Sequence, residues 1–448
     1  MTVQSLGISL SLVLACSAAQ AAPAASDSDP LTGDWAVTVD LHGSPIYLRM
    51  QLEQKGREIA GKIDGEGLHG SLSGNQMHFI AQDGGRLDVG QGTLRKGILS
   101  GSIVETYDTD KAHPIQYSFT ATRIGSGVRG APRHHEFIPS VFYREFSALN
   151  KPVLTVSPGD SIHTLTIDAA GVDEKGQSRV LGGNPETGPF FIESAMPGDT
   201  LVVHITRLRL TRDYAVSNDG VVARGLNQDL AVTMREGGKP VRWHLDPAKS
   251  IATLETPGIH MARYEVPIRP MLGCIAAAPA PARGAPSSAD SGSYGGNLDF
   301  NEITEDAKVY LPVSVPGALL YVGDGHAAQG DGELNGNALE TSLDVEFTVD
   351  VISERDTPEP RVESSTEIMA LGLGGSLDDA FRDATANMAN WLVQDYKLTP
   401  VETAEVLGTA AQYSVNAVAS RNAGVVLKIR KDRLKVLGET LKSTAELK

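Results

Sequence analysis

One stretch of the chain gathers groups that could bind a cation or move a proton: Gly323-Asp324-Gly325-His326-Ala327-Ala328-Gln329-Gly330-Asp331-Gly332-Glu333. Three acids and a histidine stand in a glycine-rich run, and glycine permits the sharp reversals that bring loop side chains together. Histidine with carboxylates suits zinc, whereas oxygen ligands alone suit calcium or magnesium. By spacing alone, the same run serves equally well as a solvated loop. Two distant segments offer further donors. Gly295-Gly296-Asn297-Leu298-Asp299 sets an amide and an acid after a glycine pair, and Thr166-Ile167-Asp168-Ala169 ends a strand on an acid. Each acid alone reads as a turn cap. Together they read as one polar cluster drawn from separate segments, which is how metal sites are assembled. Cys274 stands among Met271, Leu272 and Ile275, surroundings that raise a thiol's pKa and leave it inert.

The elements that must position these groups follow from composition and pattern. The 448 residues carry a formal net charge of −16, with 41% hydrophobic residues, 47 Gly, 24 Pro and 5% aromatics. That length predicts two or three domains with real cores. The glycine and proline content predicts turn-rich β structure. An acidic chain lacks the basic face that nucleic acid requires, and two cysteines exclude a disulfide framework. Residues 6–15 form an apolar run too short to span a bilayer, followed by the small-x-small site Ala19-Gln20-Ala21. Residues 1–21 therefore read as a signal peptide, although no Lys or Arg precedes the run. Acylation at Cys16, within Val13-Leu14-Ala15-Cys16, is the alternative. The expected location is periplasmic or secreted, and no later window is apolar enough to cross a membrane.

Residues 31–124 alternate as strands do, in Trp35-Ala36-Val37-Thr38-Val39 and Ile46-Tyr47-Leu48-Arg49-Met50, with glycine turns between. They predict a small antiparallel β-barrel or sandwich, whose His42, His69 and His78 are too scattered to be ligands. A linker is expected over 125–140. The remainder, 141–448, is again β-rich before a helical tail, so the fold class is mainly β with C-terminal helices (α+β). Pro158-Gly159-Asp160 and Pro197-Gly198-Asp199 are matching turns that lead into strands, a repeat suggesting two β units facing each other. In the tail, Ser376 caps a helix with Leu377, Ala380, Phe381, Ala384, Met388, Trp391 and Leu392 at helical spacing. Thr399-Pro400-Val401-Glu402 is a capping box, and 428–435 reads as a basic amphipathic stretch with a solvated or subunit-facing surface.

The segment from 141 to about 431, roughly two thirds of the chain, resembles the acetamidase/formamidase family of metal-dependent amide hydrolases. The resemblance rests on Pro158-Gly159-Asp160 with Asp168-Ala169, then Asn184-Pro185-Glu186-Thr187-Gly188-Pro189, then Pro197-Gly198-Asp199. Gly295-Gly296-Asn297-Leu298-Asp299 and the run from Gly323 to Glu333 complete the set. It implies a β-sandwich-like amidase core that hydrolyses short linear amides to carboxylate and ammonia. It further implies a divalent metal, zinc as the expected ion and calcium as the alternative. Carried over by residue, Asp168, Asp299 and His326 are the implied ligands and Glu333 the implied proton shuttle. Asn297, orienting substrate or stabilising an oxyanion, and Asp324 complete the catalytic set. A small amide is the expected partner and a homodimer the expected assembly. Ser194, Met196 and the run Gly273-Cys274-Ile275-Ala276 depart from the family pattern beside the pocket, which bears on substrate choice. Two other readings stand beside the hydrolase. One is an exported binding protein on the same scaffold with reduced turnover, the other an envelope interaction protein led by its β module.

Overall fold

The computed structural model describes residues 30–124, 130–234 and 238–437; the expected leader over 1–21, with Cys16, lies outside the described residues. Alternation at period two builds the N-terminal unit. Eight antiparallel strands, from Gly33–Leu41 to Asp110–Arg123, pair in sequence order, and the first closes onto the last with Trp35 opposite Arg123. Every second side chain turns inward, so Trp35, Met50, Met77, Phe79 and Phe119 fill the interior. Gly90 has no room for a Cβ because the Phe79 ring lies against it. The unit is a closed barrel with a packed core, and His42, His69 and His78 are exposed on its surface.

The rest folds around two packed sheets. A seven-stranded sheet holds Leu320–His326 between Glu186–Ile192 and Met271–Ala277, and the last pairs onward with Gly295–Asn297. A nine-stranded sheet includes Thr200–Leu210, Lys308–Pro312 and Leu343–Ile352. Phe190, Ile275, Leu320 and Val322 from the first meet Val203, Leu311, Val345 and Phe347 from the second in one buried cluster. That is the sandwich. A four-stranded sheet, beginning with Tyr214–Asn218, joins its side.

The two Pro-Gly-Asp turns act alike, but they do not mark facing units. Each aspartate closes its own turn: Asp160 accepts from Ser157 N at 3.0 Å and Asp199 from Met196 N at 2.9 Å. They launch Ser161–Leu165 and Thr200–Leu210, which flank the same strand, Leu343–Ile352, within one sheet. The fully buried Asp199 also receives Arg49 of the barrel at 2.8 Å, which fastens the two units together. Removing one partner of such a buried pair costs about 3–5 kcal/mol. The stretch read as a linker is shorter than 125–140, because His134–Glu136 pairs in parallel with Ser161–Leu165 as an edge strand.

The tail helices form where their caps predict. Ser376 accepts from Asp379 N ahead of Leu377–Tyr396, and Thr399 and Glu402 make a reciprocal box ahead of Pro400–Ala410. Ala380, Ala384, Met388, Trp391 and Leu392 pack on the sheet, whereas Leu377 and Phe381 stay exposed, Phe381 stacking on Tyr413. The basic stretch 428–435 is no single amphipathic element. It is the end of the strand Ala423–Arg430 and the short helix Lys431–Leu434, with Lys431 paired to Glu363 at 2.6 Å. No helix among the described residues is long and apolar enough to cross a membrane.

The long helix lies directly over Gly372 in the strand Glu367–Gly374, where a Cβ would overlap the Ala380 carbonyl and the Ala384 amide. Gly372→Val should therefore lever the helix from the sheet and destabilise the fold by about 1–3 kcal/mol. Thermal unfolding of the variant against the parent chain measures this as a lowered Tm.

Candidate active site

The glycine-rich run is strand before it is loop. Gly323, Asp324, Gly325 and His326 belong to Leu320–His326, buried in the middle of the seven-stranded sheet, and only the residues after His326 form a loop. Its glycines supply space rather than turns. A Cβ on Gly323 would overlap the Glu186 carboxylate, and one on Gly325 would stand 2.5 Å from Leu343 Cγ. On the neighbouring strand, a Cβ on Gly273 would lie 2.6 Å from Asp324 Oδ2 and 2.8 Å from His326 Cε1. The sheet is thinned here so that polar side chains can stand inside it.

Around His326 the structure assembles two overlapping groups: Asp299, His326 and Glu333, and Asp324, His326 and Glu340. All five are buried. His326 Nδ1 faces Gln329 Oε1 at 2.8 Å, and Gln329 Nε2 donates to the Asp299 carbonyl at 2.5 Å. The amide can therefore only accept from the ring, so Nδ1 carries the proton and Nε2 turns to the acids. Nε2 lies 3.3 Å from Glu340 Oε1 and 3.5 Å from Asp324 Oδ1.

Amides hold the acids in place. Asn184 Nδ2 donates to Asn297 Oδ1 at 2.5 Å and to Asp324 Oδ2 at 3.0 Å, and Asn297 Nδ2 donates to Asp299 Oδ2. Glu333 Oε1 accepts from Ala338 N at 2.9 Å. Asn184, Asp299, Asp324 and Glu333 all have left-handed backbones, with φ between 44° and 52°. For residues with a Cβ, that conformation costs about 1–3 kcal/mol each and is characteristic of functional sites.

Of the residues singled out from sequence, Asp299, Asp324, His326, Glu333 and Asn297 converge. Asp168 does not join them. Its Oδ2 pairs with Arg212, and its Oδ1 accepts from Ala170 N at 3.1 Å and Val172 N at 2.8 Å. Arg212 also reaches the Glu340 carbonyl at 3.5 Å, so Asp168 supports the site through the arginine. Asp331, the second acid of the run, is exposed and accepts from Asn301 at 2.8 Å. Both ends of the Asn297 amide are engaged, so it orients Asp299. Three residues carry functions the sequence did not reveal. Glu340 bridges to His326 by backbone from a segment without a motif; its one signal is an acid three residues ahead of the strand Leu343–Ile352. Asn184 and Glu186 lay within the quoted Asn184-to-Pro189 run, with nothing local to assign them a role.

Charge crowding governs the electrostatics. Burial, reinforced by Glu333 and Asp324, raises the Asp299 carboxyl well above the usual range. Burial pushes Glu333 up to about 7 and Glu340 up to about 8. Burial alone would lower His326, but Glu340 and Asp324 outweigh it and hold the imidazole well above its ordinary value. Glu186 is fully buried with neither carboxylate oxygen hydrogen-bonded, and burial beside Asp324 raises it strongly. The Cys274 thiol is raised by burial and by Glu186, which makes it a poor nucleophile.

Comparison with known proteins points the same way. The acetamidase/formamidase family model matches residues 277–366, the stretch that carries Asp299, Asp324, His326, Glu333 and Glu340. An acetamidase of Mycolicibacterium smegmatis is 42% identical over 59 residues, 13% of this chain and 14% of that relative. The chain thus matches only a small fraction of the length of its curated relatives. Solved structures match much further. A predicted acetamidase/formamidase from Thermoanaerobacter tengcongensis superposes with a TM-score of 0.59 at 27% identity, over 69% of this chain and 100% of its own. An acetamidase from Bacillus halodurans gives 0.58 at 26% identity, over 68% and 100%. A shared sandwich, and the family's signature lying across the acids that surround His326, make the chain similar to the acetamidase/formamidase family.

Proposed function

We propose that the protein hydrolyses the C–N bond of short linear amides, releasing a carboxylate and ammonia, with a divalent cation held at His326. A set of buried ligand atoms without hydrogen-bond partners carries this reading: Asp299 Oδ1, Asp324 Oδ1, Glu340 Oε2 and His326 Nε2. Buried polar atoms are normally paired, because stranding one costs about 1–3 kcal/mol. One imidazole among carboxylates suits zinc, and the excess of oxygen donors makes calcium the alternative. The donor set fits a cation, which His326, Asp324, Glu340, Asp299 and Glu333 would hold. Bound there, a dication supplies Lewis acidity toward the amide carbonyl and makes water nucleophilic near neutral pH.

The remaining chemistry falls to side chains. An amide nitrogen leaves only when protonated, so the site needs a group to carry a proton to it. Glu333, the implied shuttle, stands within ligand reach of Asp299 and His326, and Ala338 N occupies one of its oxygens. Glu186 lies outside both groups with both oxygens free, and it borders Asp324. Proton delivery is therefore assigned to Glu186. Gln329, Asn184 and Asn297 hold the imidazole and the acids in register. The leader expected over 1–21 puts this reaction outside the cytoplasm.

Ammonia release from formamide, acetamide and longer amides tests the reading. Activity should vanish with chelator and return with zinc, and failure on every amide with metal present would leave a binding protein. Glu186→Gln should lower kcat by about 10²–10⁴-fold while the bound metal, measured by elemental analysis, stays unchanged. The metal-free chain should also show a distinctive pH profile. Glu333 and Glu340 have folded pKa values of about 7 and about 8, raised from 4.5, so unfolding releases their protons as pH rises. Their contribution is intact below pH 4.5 and is lost as pH climbs through those values. The Tm of chelated protein should accordingly fall between about pH 5 and pH 8.5, and zinc should flatten the slope.

A further inference from the structure

Inside the N-terminal barrel the apolar filling stops short of one end. Two residues beyond Leu68, Gly90 and Ile103, the inward rows carry Glu66, Asp88 and Glu105. Tyr117 stands opposite Ile103, and Arg86 opposite Tyr107. Ala81, on the strand between Glu66 and Asp88, brings only a methyl group. The other end is apolar and shut: Leu31 is fully buried there, its carbonyl accepting from Trp35 Nε1 at 2.9 Å.

The polar end is charged and short of partners. Arg86 meets the Glu66 carboxylate and lies 3.5 Å from Asp88 Oδ2, and Tyr117 Oη donates to Glu105 Oε2 at 3.2 Å. One guanidinium thus faces three carboxylates, an excess of two negative charges. Asp88 is only 5% exposed, yet its Oδ1 has no hydrogen-bond partner, and neither has the buried Oε2 of Glu66. Stranded buried acceptors are rare in folded chains, and these two lie where the barrel opens. Burial raises the Asp88 carboxyl to about 6 against the pull of Arg86, so at neutral pH it is ionised and under-compensated.

We propose that this end of the barrel binds an organic ammonium ion, whose N–H groups enter between the strand ends to meet Asp88 and Glu66. The site stands apart from the reaction at His326. The ligand supplies what the rim lacks, positive charge and N–H donors, and brings no acceptor of its own. A metal ion would find the ligands too far apart. Among the described residues only the groups around His326 bring three ligand atoms within 4.8 Å of one another, and the Arg86 guanidinium repels a dication. Below Asp88 the Phe79 ring fills the interior against Gly90, so only the charged head enters and the rest of the ligand stays in solvent. The double negative excess favours a diamine over a monoamine.

Calorimetric titration of the full chain with butylammonium chloride and with 1,4-diaminobutane dihydrochloride tests this. Saturable binding of one equivalent is expected, tighter for the diamine. Asp88→Asn and Glu66→Gln should each weaken it by about tenfold or more, because a charged donor loses its acceptor, whereas Glu340→Gln should leave it unchanged. Hydrogen exchange of the unaltered chain needs no variant to fold: the amine should slow exchange at the rim turns 64–65, 84–85 and 108–109. Absence of saturable heat, or binding undiminished in both barrel variants, overturns the proposal. Protection confined to 320–340 also overturns it and puts the amine on the acids around His326. Calcium chloride taken up at the rim in the amine's place overturns it as well, giving that end of the barrel to a metal ion.

Discussion

Burying four carboxylates around one imidazole is the constraint to which the rest of the sandwich answers. Asp299, Asp324, Glu333 and Glu340 repel one another in a medium that screens them poorly, and each would shed charge if left alone. The fold does not relieve this by solvent exposure. It admits the group by removing side chains around it, at Gly273, Gly323 and Gly325, and by bending the backbone at four polar positions into the left-handed region. A cation bound among these acids would turn the crowding into binding energy.

Around that centre lies a layer of groups that fix orientation. Gln329 sets the tautomer of His326, Asn297 aims Asp299, and Asn184 ties Asp324 to Asn297. Arg212, anchored by Asp168, reaches the Glu340 carbonyl. These residues come from strands and loops spread over the whole sandwich, so the site is only as precise as the packing of the two sheets. The buried apolar cluster between Phe190, Ile275, Val345 and Phe347 is therefore part of the site's support.

The barrel contributes in another way. Its interior is filled by Trp35, Met50, Met77 and Phe119, which leaves its polar end, its outer surface and its junction as the parts able to act. At the junction, Arg49 reaches an aspartate already used to close a turn. The turn that launches a central strand of the sandwich thus also seats the barrel. One buried carboxylate joins both roles.

Local physics was legible from the residues alone. Period-two alternation announced the barrel strands, and Ser376 and the Thr399–Glu402 box announced the helices, because these signals need only neighbours a few positions away. The polar runs around Asn297 and His326 announced that chemistry was present. What a residue does there depends on partners far along the chain, and here sequence and structure part. Glycines read as turn-formers proved to be spacers inside a strand, since only the packed Glu186 and Leu343 reveal what a Cβ would strike. Asp168 looked like a ligand until Arg212 claimed it, and Glu340 carried no sign of its place until its backbone met that of His326. The chain by itself determined which elements form and which donor types exist. Only the closing of one sheet upon another decided which donors share a point in space, because that distance is a property of packing and not of order along the chain.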